Sequence, residues 1–192
     1  MFMAQVTIYI PDDLERELRR RAKRSGRSLS SVVADLARRT RAIARGLLAL
    51  APEESDPRVA ILSENSLETA LTDIACLSNG IVDFPLPGNS TPEQVAYMLR
   101  HSGAHILVVS DEEQVEKVLP SLPGLPDLKE VVVVSRAAAE RHGLLSLEQA
   151  VAQGAGAFDD AERAARAARV RSRDVATVMY TSGTTGRPKG IV

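Results

Sequence analysis

Five short apolar runs, Val59–Leu62, Ile81–Phe84, Ile106–Val109, Val131–Val134 and Val175–Tyr180, recur along one stretch of the chain, and helical patterns separate them. The helical segments fall near Leu67–Ser78, Pro92–Arg100, Glu112–Leu119, Ser146–Gln153 and Ala161–Arg169. Strands that alternate with helices cannot form simple hairpins. Each helix carries the chain back over the sheet, so the pattern predicts an α/β fold with parallel strands and flanking helices. Pro120–Pro126 and Gly154–Gly156 read as connectors between these elements. Trp is absent and aromatics make up only 3% of the residues, so the core must be built from Val, Leu, Ile and Ala.

The last apolar run feeds the strongest chemical signal, Tyr180-Thr181-Ser182-Gly183-Thr184-Thr185-Gly186-Arg187-Pro188-Lys189-Gly190. Gly183 and Gly186 let the backbone turn sharply and approach a ligand closely. Thr181, Ser182, Thr184 and Thr185 add hydroxyl donors, and Lys189 adds a point charge suited to polyphosphate. Pro188 stiffens the exit. Two residues separate the glycines where a Walker A loop has four, and proline precedes the lysine, so this is not that motif. The plainer alternative is a surface turn rich in Ser, Thr and Gly.

The whole string resembles the phosphate-binding signature of the AMP-forming acyl-CoA synthetases, within the adenylate-forming superfamily. Upstream segments extend the resemblance over residues 41–192: Arg58–Asn65 as a first buried strand and its loop, Gly80–Pro87 as the next strand, and Asn89–Gln94 opening a helix that ends near His101–Ala104. Pro126–Lys129 before Val131–Val134 fits as well. The run of segments is most similar to the long-chain fatty-acid branch. This implies an enzyme that makes an acyl-adenylate from a carboxylic acid and ATP with Mg²⁺, then a thioester with coenzyme A. It also implies that Thr181, Ser182, Gly183, Thr184, Thr185, Gly186 and Lys189 hold the ATP phosphates. The family's adenine and ribose contacts, its Mg²⁺-binding glutamate and its second lysine match no segment of these 192 residues. The expectation is therefore a truncated synthetase domain, without turnover by itself and with no catalytic residue assigned.

Residues 1–45 differ in charge from the rest. They hold eleven Lys/Arg against five Asp/Glu, while the remainder holds thirteen against twenty. The chain thus divides into a basic head of net charge +6 and an acidic body of −7, an asymmetry that suggests two modules with different partners. In the head, Val6, Ile8 and Ile10 alternate with Gln5, Thr7 and Tyr9, the period of a half-buried strand. Pro11 ends it, and Asp12 and Asp13 offer caps for a helix with Leu14, Leu18 and Ala22 on one face. Gly26 breaks that helix, and Ser28 caps a second along Leu29, Val32, Val33, Leu36 and Ala37.

This strand-helix-helix unit resembles the ribbon-helix-helix DNA-binding proteins. The resemblance implies homodimerisation through residues 4–44, with Gln5, Thr7 and Tyr9 facing DNA and the Ser28–Ser30 helix start clamping phosphate. The plainer alternative is an edge strand and a solvated arginine face. The expected division is residues 1–44 as the head and 45–192 as the synthetase-like domain, with the second helix running on through Thr40–Ala44. Two function classes follow, a ligase fragment or a DNA-binding regulator of the antitoxin type. The ligase reading ranks first because its motif is more specific and covers more of the chain.

Other chemistry finds little support. His101 and His105 are four apart, but Gly103 should end the helix between them, which removes the metal-binding meaning of the spacing. His142 has no evident partner in sequence, and Glu112, Glu113 and Glu116 read as a solvated helix face. No metal site and no Ser/His/Asp arrangement is expected. Cys76 is the single cysteine and reads as a small core residue. No apolar run approaches the length of a membrane span. The N-terminus lacks the basic and apolar regions of a secretion signal, so a cytoplasmic location is expected.

Overall fold

The computed structural model describes residues 12–157, 159–181 and 188–192. The chain forms two compact units, Met1–Arg39 and Thr40–Val192. In the first unit, helix α1 (Asp12–Arg24) is followed by the start of helix α2 (Leu29–Leu50). Gly26 turns the chain between them with a left-handed φ of 63°, and the Ser31 N–H donates to Ser28 Oγ at 3.1 Å, capping α2 as expected. Arg16, Arg19, Arg20, Arg21, Lys23 and Arg24 are all exposed on α1. The expected strand with Val6, Ile8 and Ile10, and with it Gln5, Thr7 and Tyr9, lies outside the described residues.

The second unit holds a five-stranded parallel sheet of order β2-β1-β3-β4-β5. Its strands are β1 (Arg58–Ser63), β2 (Val82–Pro87), β3 (Ile106–Val109), β4 (Glu130–Val133) and β5 (Leu145–Ser146). Helices α3 (Leu67–Leu77), α4 (Pro92–Ser102), α5 (Glu112–Val118) and α6 (Arg136–His142) link them in turn, and α7 (Leu147–Ala157) and α8 (Asp160–Ala167) follow. From β1 the chain steps to β2 on one side, then returns past β1 to β3 on the other. Such a reversal opens a crevice at the carboxyl ends of the strands, where α/β proteins commonly bind ligands.

The helices begin where side chains satisfy their free N–H groups. Ser66 caps α3, Asp111 caps α5, and Thr91 and Gln94 form a reciprocal capping box on α4 behind Pro92. Gly103, with φ of 58°, ends α4 as its position predicts. His101 and His105 are thereby separated. His105 Nδ1 accepts the Arg58 N–H at 3.2 Å, while His101 meets Tyr180.

One face of the sheet carries Ala60, Leu62, Phe84, Leu86, Leu107, Val109, Val131 and Val133 into the main core with α4 and α5. In-register alternation puts Val59, Ile61, Asp83, Ile106, Val108 and Val132 on the opposite face. Strand β3 is buried along its whole length, the aliphatic solution that an aromatic-poor composition requires. Cys76 is fully buried on α3, as expected of a core residue.

Several boundaries differ from expectation. Val175–Tyr180 is not one strand: only Met179–Thr181 forms β6, which pairs antiparallel with β7 (Lys189–Ile191). Residues 176–178 touch the main sheet by a single parallel bridge, Thr177 to Asp83. The connector at Pro120–Pro126 is largely a 3₁₀ helix, Leu119–Gly124. Gly154 and Gly156 lie inside α7. Gly154 is needed there because a Cβ would come within 2.6 Å of Gly46 Cα on α2. Helix α6 and the two-residue β5 are additional elements.

Helix α8 buries no residue, so its small apolar side chains contribute little packing. Its arginines hold it instead. Arg166 donates to the carbonyls of Asn79 at 2.9 Å, Gly80 at 3.2 Å and Ser55 at 3.3 Å, and Arg163 reaches Asn79 Oδ1 at 3.2 Å.

Candidate functional site

The β6–β7 hairpin presents the loop. Thr181 and Lys189 face each other at its base, Tyr180 pairs with Gly190, and Met179 with Ile191. Thr181 and Lys189 are both exposed. Ser182, Gly183, Thr184, Thr185 and Gly186 lie outside the described residues, so the hairpin fixes the two ends between which they run.

Tyr180 fastens this hairpin to the body. It is 8% exposed. Its hydroxyl donates to the Met98 carbonyl at 3.2 Å and lies 3.0 Å from His101 Nδ1. The His101 ring meets Tyr180 edge-on and stacks on Tyr97, so α4 grips the hairpin through an aromatic ladder. Burial, and to a lesser degree Tyr97, pushes the Tyr180 phenol up to about 12. It therefore stays neutral and serves as an anchor. Tyr180 begins the sequence motif, but only the fold reveals this role.

Two cavities flank the hairpin. The smaller, about 230 Å³, is lined by Pro87, Asn89, Ser90, Gln94, Thr181 and Pro188 among others. The larger, about 750 Å³, lies at the carboxyl ends of β1 and β2, with Ser63, Glu64, Ser66, Thr69, Asp73 and Met179 in its wall. Among the described residues that line the smaller cavity at the loop base there is no carboxylate, so they offer Mg²⁺ none of the anionic oxygen ligands that cation favours.

Two polar features escaped the sequence. Asp83 is fully buried on β2, with neither carboxylate oxygen in a hydrogen bond. Burial, with the Asp73 carboxyl nearby, raises it to about 7. The second feature corrects the readings of His142 and Glu112. His142 Nε2 lies 2.5 Å from Glu112 Oε1, and Arg141 lies 3.1 Å from Glu112 Oε2. These contacts hold the Glu112 carboxyl below its usual range, the His142 hydrogen bond first. Glu116 completes a trio whose ligand atoms lie within 4.8 Å of one another. The Arg141 guanidinium already compensates this acidic pair, and Glu116 is exposed, so the cluster reads as an ion-pair network linking α5 and α6.

The AMP-binding enzyme family matches residues 17–192. The chain belongs to that family. Long-chain-fatty-acid–CoA ligase FadD15 of Mycobacterium tuberculosis is 38% identical over 157 residues, covering 82% of this chain and 25% of that one. Long-chain-fatty-acid–CoA ligase ACSBG1 of Bos taurus is 31% identical over 153 residues, covering 79% and 21%. This AMP-binding chain thus spans about a quarter of the length of the curated relatives it matches. Among solved structures, the anthranilate CoA ligase AuaEII in complex with anthranoyl-AMP aligns with a TM-score of 0.64 at 23% identity, over 81% of this chain and 27% of that one. The adenylation domain of a carboxylate reductase from Mycobacterium chelonae aligns at 0.62 and 27% identity, over 81% and 26%. The parallel sheet and flanking helices are the α/β fold that the alternating pattern predicts, and they match the fold of these adenylate-forming neighbours.

Proposed function

We propose that this AMP-binding chain supplies the ATP phosphate-binding part of an AMP-forming fatty-acid–CoA ligase. The observation that carries the proposal is the hairpin that sets Thr181 and Lys189 opposite each other at the two ends of the Ser/Thr/Gly loop. In this reading Ser182, Gly183, Thr184, Thr185 and Gly186 supply, by their residue types, the backbone N–H and hydroxyl donors for the polyphosphate, together with Thr181. Lys189 supplies a positive charge from the exposed start of β7. The reaction joins a fatty-acid carboxylate oxygen to the ATP α-phosphorus and breaks the bond to pyrophosphate. Coenzyme A sulfur then displaces AMP and forms the thioester. This chain's part is to stabilise the charge that accumulates on the departing pyrophosphate, through the loop's donors and the Lys189 charge. Mg²⁺ enters as a companion of the nucleotide, and none of the described residues at the loop base is assigned to it.

Within this reading, residues 45–192 form the synthetase-like domain and residues 1–44 a basic head. The ribbon-helix-helix reading of that head, with DNA and a second copy as partners, depends on Gln5, Thr7 and Tyr9. The family match reaches into α1 from residue 17, which favours the ligase reading for most of the chain.

Calorimetric titration with ATP tests the proposal in the full chain and in Lys189→Ala. Removing one charge-assisted contact should weaken binding about tenfold. Equal affinity in the two proteins would overturn the assignment of Lys189.

A further inference from the structure

Residues 176–178, which lead into the hairpin, rest on the edge of the main sheet at one point. The Asp83 N–H donates to the Ala176 carbonyl at 3.2 Å, and the Val178 N–H donates to the Asp83 carbonyl at 2.9 Å. The residue at that point of attachment carries a fully buried carboxyl group. Its in-register neighbours are Thr177 on one side and apolar Val59 on the other. From α3 it feels the Asp73 carboxyl, and it acts in turn on the thiol of buried Cys76. No cation among the described residues offsets it. Neither Asp83 oxygen makes a well-formed hydrogen bond, although the Asp73 carboxyl and the Thr177 hydroxyl both lie close enough to act on it. An ionised carboxylate in such surroundings is costly, whereas the protonated acid can donate to a neighbouring oxygen.

We propose that Asp83, facing Asp73, is a protonation-dependent latch: its neutral form holds the 176–178 segment on β2, and its ionised form releases that segment and loosens the entry to the phosphate loop. Asp83 is thus a positioning residue, acting through the backbone it pairs. The latch goes beyond the ATP reading and does not depend on it, since it concerns the attachment of the hairpin with no nucleotide present.

The direction follows from linkage. In the latched state the carboxyl is raised from an ordinary 3.8 to about 7, by burial first and Asp73 second, which together outweigh the opposing pull of the Thr177 hydroxyl. When the segment lifts, water reaches the group and its ordinary value returns. The latched state therefore keeps a proton that the released state loses between pH about 4 and 7. Latching is strongest at the acidic end, weakens by up to about tenfold per pH unit across that window, and levels off above it. Cys76 stays neutral throughout, because burial and the two carboxylates push its thiol up.

Amide hydrogen exchange at Val178 in the full chain, without nucleotide and corrected for intrinsic rates, reads the latch directly. Protection should fall at least tenfold from pH 5.5 to 7.5. Asp83→Asn keeps the shape without the charge and should hold protection level across that range. A level profile in the unsubstituted protein would overturn the latch, and so would the same slope in Asp83→Asn. His101, which contacts Tyr180 from α4, is unchanged in that variant, so a slope remaining there belongs to another group. If Asp83→Asn fails to fold, Asp73→Asn decides. Removing the facing carboxylate should move the fall to lower pH, and an unmoved profile would overturn the proposal.

Discussion

Strand β3 and the run Val175–Tyr180 that leads into β6 both read as apolar strands in sequence and meet opposite fates. Ile106, Leu107, Val108 and Val109 of β3 are no more than 1% exposed, with strands on both sides and helices over the sheet. Among the described residues of the hairpin, Met179 is 59% and Ile191 54% exposed, and only Tyr180 is buried. The first region is a scaffold whose stability comes from packing. The second is a presentation device, held by one tyrosine, one backbone bridge and a two-strand ladder. An element that must bring a loop to a ligand is drawn from the less stable parts of a fold, and this hairpin fits that rule.

If the contrast holds, a change in β3 should cost most. Leu107 is completely buried and belongs to the main core. Leu107→Ala should lose about 2–5 kcal/mol, combining lost transfer energy with the cavity left behind. Urea denaturation followed by circular dichroism reads this as a lower midpoint at unchanged slope. A loss under about 1 kcal/mol would mean the sheet is not the rigid partner in the comparison.

Tyr180→Phe tests the join between the regions. It removes the hydroxyl that reaches Met98 and His101 but keeps the ring in the core. The expected cost is about 1–2 kcal/mol, because the Met98 carbonyl loses its donor. Its distribution is more informative than its size. Amide protection should fall along β6 and β7 and stay unchanged in β3. Equal loss in both would show that the hairpin and the sheet open as one unit.

The same contrast explains what could be read from sequence. Strands in the sheet interior declare themselves, because burial on both faces demands continuous aliphatic runs such as Ile106–Val109. Caps are equally legible, since Ser66, Thr91 and Asp111 act on residues three positions away. Long-range contacts are not. Nothing local in Gly154 announces that Gly46 will press against it, so a glycine inside a helix reads as a break. Val175–Met179 has strand composition, yet its pairing depends on an edge that offers one bridge. Asp83 looks like a polar interruption of a strand, and its burial appears only once Asp73 and Thr177 are placed around it. The loop motif offers a chemical expectation from its residue types, and residues 182–187 of it lie outside the described structure. Its anchoring by Tyr180 and His101, residues 79 apart, was not legible in sequence.

The smallest effect should come from the exposed side of the hairpin. Met179 and Ile191 are cross-strand partners, and both point largely into solvent. Their side chains bury little area that unfolding would expose. Replacing both with serine therefore forfeits little hydrophobic stabilisation, while Tyr180 and the backbone ladder remain. Global stability in Met179→Ser/Ile191→Ser should shift by less than about 0.5 kcal/mol, the usual range for substitutions away from packed features. ATP titration should be unchanged as well, because Thr181 and Lys189 keep their pairing. A destabilisation comparable to that of Leu107→Ala would mean this face is covered in solution, and would remove the distinction between scaffold and presentation on which the other two expectations rest.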